Sequence, residues 1–236
     1  MSAPQLAENL ARVRARVAAV AAEAGRDPAG VTLIAVSKTH PAETVAAAAA
    51  LGLTDFGENR VEEAAGKMRA LPSVRWHMVG HVQSRKARAV IEAGFALVHS
   101  VDSLKLAERL SRFAVEAGRV QPILFECNVS GEASKSGFAA YDAAGWPALI
   151  AAFAAVAALP GVRGRGLMTM APLGTDHASA RPYFRRLREL RDAARSALPS
   201  AEWAELSMGM TDDFEGALRE GATLIRVGRA IFGERA

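Results

Sequence analysis

The chain of 236 residues carries a single cysteine, Cys127, which excludes an intramolecular disulfide framework and a multi-cysteine zinc site. A reducing compartment is the expectation. Lysine is scarce as well, at 5 of the 29 basic residues: Lys38, Lys67, Lys86, Lys105 and Lys135. Any lysine with chemistry to perform must be one of these five. Aromatic residues make up 6%, with two tyrosines, Tyr141 and Tyr183. No apolar stretch of about 20 residues runs without charge or a breaker, so no membrane span is expected. Glu8, Arg12, Arg14 and Arg16 stand where a secretory apolar region would lie. The net charge of +4 comes from scattered arginines and not from a block. It reads as a solvated face and not as a nucleic-acid footprint.

What the chain has in excess is alanine, 51 residues of it, in runs such as those around Ala46 to Ala50 and Ala151 to Ala158. Half of the residues are apolar, enough for one domain, residues 1–236, with a large core. Leu6, Leu10, Val13, Val17 and Val20 recur at helical spacing and predict an amphipathic first helix within residues 1–27, closed by Gly25 and Pro28. Its apolar side chains are small for a membrane-surface helix, so packing on the domain is expected.

From residue 31 onward, short β-rich runs alternate with alanine-rich, arginine-studded segments. The strand candidates are Val31 to Ser37, Asp55 to Gly57, Trp76 to Gly80, Ala96 to Ser100, Ile123 to Val129, Gly164 to Met170, Ala204 to Ser207 and Leu224 to Val227. The helical candidates cover about 41–52, 60–71, 84–94, 103–118, 138–159, 176–198 and 212–220. Eight such units in sequence predict an α/β fold, a single (β/α)8 TIM barrel with an extra N-terminal helix. An open doubly wound sheet would need a glycine-rich turn after an early strand. The first strand is instead followed by Ser37-Lys38-Thr39-His40-Pro41.

A barrel of this kind places its active face at the C-terminal strand ends. Lys38 directly follows the apolar run Val31 to Val36, so it should point into that mouth. Lys67, Lys86 and Lys105 fall on predicted helices and are expected to be solvated, while Lys135 sits in the loop Ser130 to Gly137. A partly desolvated lysine can form a Schiff base; the competing possibility is an ion pair, for instance with Glu58. Ser207-Met208-Gly209-Met210 and Gly228-Arg229 follow the last two strands, where a barrel's phosphate site is usually built. They could equally be ordinary turn glycines. A strand-one lysine facing such a nest is the pattern for pyridoxal 5′-phosphate (PLP) in a barrel. Arg226, an obligate donor two residues before Gly228, could meet the pyridine nitrogen and leave it unprotonated.

These residues resemble the pyridoxal-phosphate homeostasis protein family, whose members look like the barrel of alanine racemase in the fold-type III PLP group. The motifs are Ala35-Val36-Ser37-Lys38, Phe56-Gly57-Glu58-Asn59-Arg60, Trp76-His77 through Gln83, His99-Ser100-Val101-Asp102, Asn128 through Gly137, Gly166-Leu167-Met168, Leu206 through Asp213, and Ile225-Arg226-Val227-Gly228 through Ile231-Phe232-Gly233. The resemblance implies that Lys38 carries PLP as an internal aldimine and that Arg226 faces the ring nitrogen. It implies that Ser207, Gly209, Gly228 and Arg229 hold the phosphate, and that Asn59, His77 and Met168 line the ring pocket. It further implies a cytoplasmic monomer or weak dimer that buffers PLP, delivers it to apo PLP-dependent enzymes and affects amino-acid and keto-acid balance, without established turnover. The chain departs from the family pattern at Arg85, where asparagine is usual, and at Thr211, where serine is usual and the hydroxyl is kept.

Two other functions compete. A PLP-dependent racemase needs a base on each face of the α-carbon. Lys38 serves one face, but Tyr141 and Tyr183 both fall in predicted helical regions, and the chain ends directly after the barrel. A barrel binding a phosphorylated metabolite without PLP would use Lys38 as a plain base. Metal sites are not expected from the five histidines, and Cys127 reads as a buried apolar residue in mid-strand.

Overall fold

Alternating strands and helices close into a ring. The computed structural model describes residues 2–234. In chain order the elements are α1 (Ala3–Glu23), β1 (Thr32–Val36), α2 (Ala42–Ala50), β2 (Asp55–Glu58), α3 (Val61–Ala70), β3 (Arg75–Met78), α4 (Ala87–Ala93), β4 (Leu97–Val101), α5 (Leu104–Glu116), β5 (Gln121–Asn128), β6 (Phe138–Ala139), α6 (Trp146–Ala157), β7 (Val162–Met168), α7 (Arg181–Ala197), β8 (Glu205–Ser207), α8 (Phe214–Arg219), β9 (Leu224–Val227) and α9 (Arg229–Phe232). The strands pair in the order β1-β2-β3-β4-β5-β7-β8-β9, and β9 returns to β1 through Thr32↔Leu224 to Ala35↔Val227. The pairings are parallel, and eight strands with no free edge make the expected (β/α)8 barrel.

α1 is the extra helix. Ser2 caps it by accepting from the Gln5 N–H. Its stripe Leu6, Leu10, Val13, Val17 and Val20 is buried, against α8 and α9 among others. Each such side chain contributes roughly 1.5–3 kcal/mol on burial. Asn9 Nδ2 adds a bond to the Ile231 carbonyl at 3.1 Å, so the helix is pinned to α9, which directly follows the last strand.

One segment departs from its sequence pattern. Residues 138 to 159 read as one helix, but Phe138–Ala139 forms β6 beside the C-terminal end of β5, in register Cys127↔Phe138. Asp142 then caps a single 3-10 turn at Ala143–Gly145, and α6 starts only at Trp146. The cause is Gly137, at φ +114, where a Cβ would stand 2.8 Å from the Glu126 carbonyl. Only glycine lets the chain pass so close to β5. Tyr141 therefore lies in a turn and not in a helix.

Side chains alternate along each strand. Ile34, Leu97, Leu124, Met168 and Leu224 form an apolar cluster of their own inside the barrel, distinct from the larger core between strands and helices. By the same alternation Val36 on β1, His99 on β4 and Arg226 on β9 take inward positions, and Lys38 and Gly228 follow just beyond the ends of β1 and β9. Among the described residues no helix is long and apolar enough to cross a membrane.

Candidate functional site

Lys38 stands in a strained turn at the end of β1. Thr39 has φ +69, the only positive φ among the described non-glycine residues. A β-branched residue there costs on the order of 1–2 kcal/mol. The turn is held from three sides. His40 N–H donates to the Ser37 carbonyl at 3.1 Å, and Thr39 N–H donates to Glu63 Oε1 at 2.5 Å. Lys67 Nζ, from α3, donates to the Ser37 carbonyl at 2.8 Å, to Glu58 Oε1 at 2.8 Å and to Glu63 Oε1 at 2.7 Å.

Lys67 is thus not solvated, as helix position suggested, but 6% exposed. Its stem crosses the α3–β2 interface to reach a buried carboxylate. Glu58, named above as one possible ion-pair partner of Lys38, pairs with Lys67 in this arrangement and also accepts from Ser37 Oγ at 2.6 Å. Burial pushes the Glu58 carboxyl up against the pull of Lys67 and Ser37. Lys86 pairs with Glu62, and Lys105 is exposed, as expected.

Arg226 lies inside the barrel at 5% exposure. Its Nη1 donates to Ser207 Oγ at 2.6 Å and its Nη2 to the Thr169 carbonyl at 2.9 Å. Burial pushes its pKa down to about 10, opposed by Asp213 and Glu126, so it is a cation at neutral pH. Ser207 Oγ is also 2.8 Å from His99 Nδ1. His99 Nε2 is 3.0 Å from His77 Nδ1, and His77 Nε2 is 2.9 Å from Asp55 Oδ1. Arg75 closes the far end with two bonds to Asp55, at 2.8 and 2.7 Å. Burial opposes ionisation of Asp55, but the bonds from His77, Arg75 and Thr54 hold its carboxyl far below the usual range. Burial, then the charges of His77 and Arg226, hold His99 well below its ordinary value.

Glu126, near the C-terminal end of β5, is 4% exposed, and its Oε2 has no hydrogen-bond partner among the described residues. Burial and the Asp102 charge raise its pKa to about 7, partly opposed by Arg226.

The ends of β8 and β9 meet the end of β1. Gly228 packs on Val36, where a Cβ would stand 3.2 Å from the Val36 carbonyl oxygen. Gly209 has φ +93, its carbonyl accepts from the Arg226 N–H at 2.9 Å, and a Cβ would lie 2.6 Å from Ala217 Cβ. Thr211 Oγ1 accepts from the Ala230 N–H at 3.4 Å, beside the start of α9. The Arg229 side chain turns outward to Asp212 and Glu234. Asn59 is half-buried just after β2 and packs under Gly80. Met168 belongs to the interior apolar cluster, and His77 has both ring nitrogens engaged below the mouth. Lys135 pairs with Glu132 at 2.9 Å and donates to the Met170 carbonyl at 3.0 Å. Cys127 is buried and its thiol is pushed far up by burial. No cluster suited to a metal ion occurs among the described residues.

The structure places the sequence candidates Lys38, Asn59, Ser207, Gly209, Gly228 and Arg229 at or just beyond strand ends, with Arg226, His77 and Met168 inside the barrel. Sequence reasoning gave no role to Asp55 or Glu126, took Lys67 as solvated, quoted His99 only within a motif, and weighed Thr211 only as a substitution. A polar residue at an inward position of an otherwise apolar strand was the available signal for Asp55, His99 and Glu126.

Residues 8–236 match the family described as alanine racemase, N-terminal domain. The pyridoxal phosphate homeostasis protein of Pseudomonas aeruginosa is 47% identical over 232 residues, covering 98% of this chain and 96% of that protein. The chain belongs to the pyridoxal phosphate homeostasis protein family. The family member from Escherichia coli K12 is 37% identical over 235 residues, 98% of this chain and 97% of its own length. PipY of Synechococcus elongatus, solved with PLP bound, superposes with a TM-score of 0.82 at 39% identity, covering 97% of this chain and all of PipY. The alanine racemase of Corynebacterium glutamicum shares the fold at TM-score 0.73 and 18% identity, over 62% of its length.

Proposed function

We propose that this homeostasis-family protein binds PLP at the C-terminal mouth of the barrel, and that it holds and delivers the cofactor without turning over a substrate. One observation carries the reading. Lys38, just beyond the end of β1, and the buried cation Arg226, on the adjacent strand β9, stand with Gly228 pressed on Val36 between them. PipY supports it, since its structure contains PLP and its chain matches this one from end to end.

The residues fit the group. Gly209 and Gly228 leave no side chain where the backbone must come close to a phosphate. PLP supplies an electrophilic aldehyde and an electron-withdrawing pyridine ring when bound. Lys38 gives the anchoring amine, and Asn59 and Met168 bound the ring site. The Ser207 hydroxyl is engaged by Arg226 and His99. The phosphate therefore falls to the backbone of Gly209, Gly228 and Arg229, with the Thr211 hydroxyl beside them. Arg226 has three further N–H donors for the ring nitrogen. As a cation that only donates, it keeps that nitrogen unprotonated and the ring a weak electron sink, which favours storage over catalysis.

Racemisation would need a second base opposite Lys38. Tyr141 packs on Gly131 and Tyr183 packs against the core along α7. The deciding experiment compares absorption spectra of the PLP-incubated wild type and Lys38→Ala. Wild type is expected to show the visible band near ~420 nm typical of lysine-bound PLP, and Lys38→Ala to lack it. A band retained in Lys38→Ala moves the anchor to Lys135. No uptake by wild type leaves a barrel for some other phosphorylated metabolite, and steady racemisation of L-alanine at saturating PLP makes the protein an enzyme. Transfer of PLP to an apo-enzyme then tests delivery.

A further inference from the structure

The polar residues inside the barrel form one continuous series. Arg226, Ser207, His99, His77 and Asp55 come from β9, β8, β4, β3 and β2, and the four links measure 2.6, 2.8, 3.0 and 2.9 Å. Its two ends are fixed chemically. A guanidinium only donates, and an ionised carboxylate only accepts. With one proton on each imidazole, every link then has one donor and one acceptor. Arg226 donates to the Ser207 oxygen, and the Ser207 hydroxyl donates to His99 Nδ1. His99 Nε2–H donates to His77 Nδ1, and His77 Nε2–H donates to Asp55. All four bonds point the same way, from a cation to an anion, in a low-dielectric interior where such bonds strengthen one another.

We propose that Asp55, His77, His99 and Ser207 are positioning residues that aim and hold Arg226 from the opposite end of the barrel. Asp55 opens β2 and lines a cavity of about 480 Å³ at the N-terminal ends of β1 to β3, away from the mouth that holds Lys38. It is anchored there by Arg75, itself largely exposed. The inference rests on the reading that PLP occupies the mouth, and it adds a requirement on residues that do not touch the cofactor. Among the described residues, two of the Arg226 side-chain nitrogens make bonds that hold it, to Ser207 and to the Thr169 carbonyl. Loss of direction at Ser207 would free half of that support.

Two measurements test this. In apo wild type labelled with 15N-histidine, two rings should be single neutral tautomers with the proton on Nε2 and a bare Nδ1. Assignment uses loss of each signal in His77→Gln and His99→Gln. A proton on Nδ1 of His99 would reverse the series and overturn the proposal without any cofactor present. In PLP-loaded protein, Asp55→Asn and His99→Gln should each speed PLP release about tenfold, the loss typical when the outer partner of a site ligand is removed. Each should also shift the pH midpoint of the visible band. The double variant should be no worse than either single one, because both break the same series. Unchanged release and band in a folded Asp55→Asn protein would sink the idea, as would effects that simply add. Failure of wild type to take up PLP would instead strike the reading of the mouth, leaving the tautomer result to stand by itself.

Discussion

Replacing Glu126 by glutamine probes the interior electrostatics with one oxygen-for-amide change. The native carboxyl is buried among β5, β7 and Arg226, with Oε2 unpartnered among the described residues and a pKa raised from 4.5 to about 7. The unfolded chain releases this proton near 4.5, while the native state keeps it to about 7. Between those values the native state binds more protons, so stability is complete at low pH and falls as pH rises through that window. At about 1.4 kcal/mol per pH unit, the interval from 4.5 to about 7 makes the ionised native protein about 3 kcal/mol less stable than a neutral isostere. That is a large share of the roughly 5–15 kcal/mol that holds a domain together. Glutamine has the shape of the protonated acid and never ionises. PLP-free Glu126→Gln should match wild type in urea unfolding at pH 4.5 and exceed it by about 3 kcal/mol at pH 8. The reasoning is refuted if the two proteins differ equally at both pH values, or if the variant is the weaker at pH 8.

Three further outcomes follow from particular contacts. Lys67→Met strands Glu58 and Glu63 beside the Ser37 carbonyl, and breaking a buried pair of this kind costs about 3–5 kcal/mol. A melting temperature equal to wild type would show the clamp to be idle. The same variant releases the Thr39 turn, so its PLP uptake, followed by the visible band, should also weaken. Gly209→Ala meets both a φ of +93 and the Ala217 Cβ at 2.6 Å. Overpacking and left-handed strain together predict about 2–4 kcal/mol of destabilisation, read by urea unfolding; a neutral result would mean the loop relaxes freely. Gly228→Ala adds a methyl 3.2 Å from the Val36 carbonyl at the proposed phosphate position. It should lower PLP affinity more than it lowers stability, and the reverse order would assign this glycine to packing alone.

The fold was legible because it follows from local properties of the chain, and so was the place of Lys38 just after β1. Eight short apolar runs separated by helical spacing determine a barrel, and a barrel determines that Lys38, directly after an apolar strand, points to the mouth. Arg226 and Gly228 were legible by the same argument at the other end of the chain. β6 was not, because two residues carry no periodicity and the pairing depends on how closely Gly137 can approach β5. Lys67 was misjudged because helical position says which way a side chain leaves the helix but not how far its four-carbon stem reaches. Ser207 shows most clearly what adjacency in sequence leaves out. Its hydroxyl sits beside a glycine in a loop that suits a phosphate, and nothing adjacent in sequence argues otherwise. It bonds to Arg226, 19 residues away on the neighbouring strand β9, and to His99, 108 residues away on β4 across the barrel. Barrel closure places side chains of distant strands in one small interior. A polar residue on the inward register of a barrel strand should therefore be weighed first against the inward polar residues of every other strand, and only afterwards against a ligand.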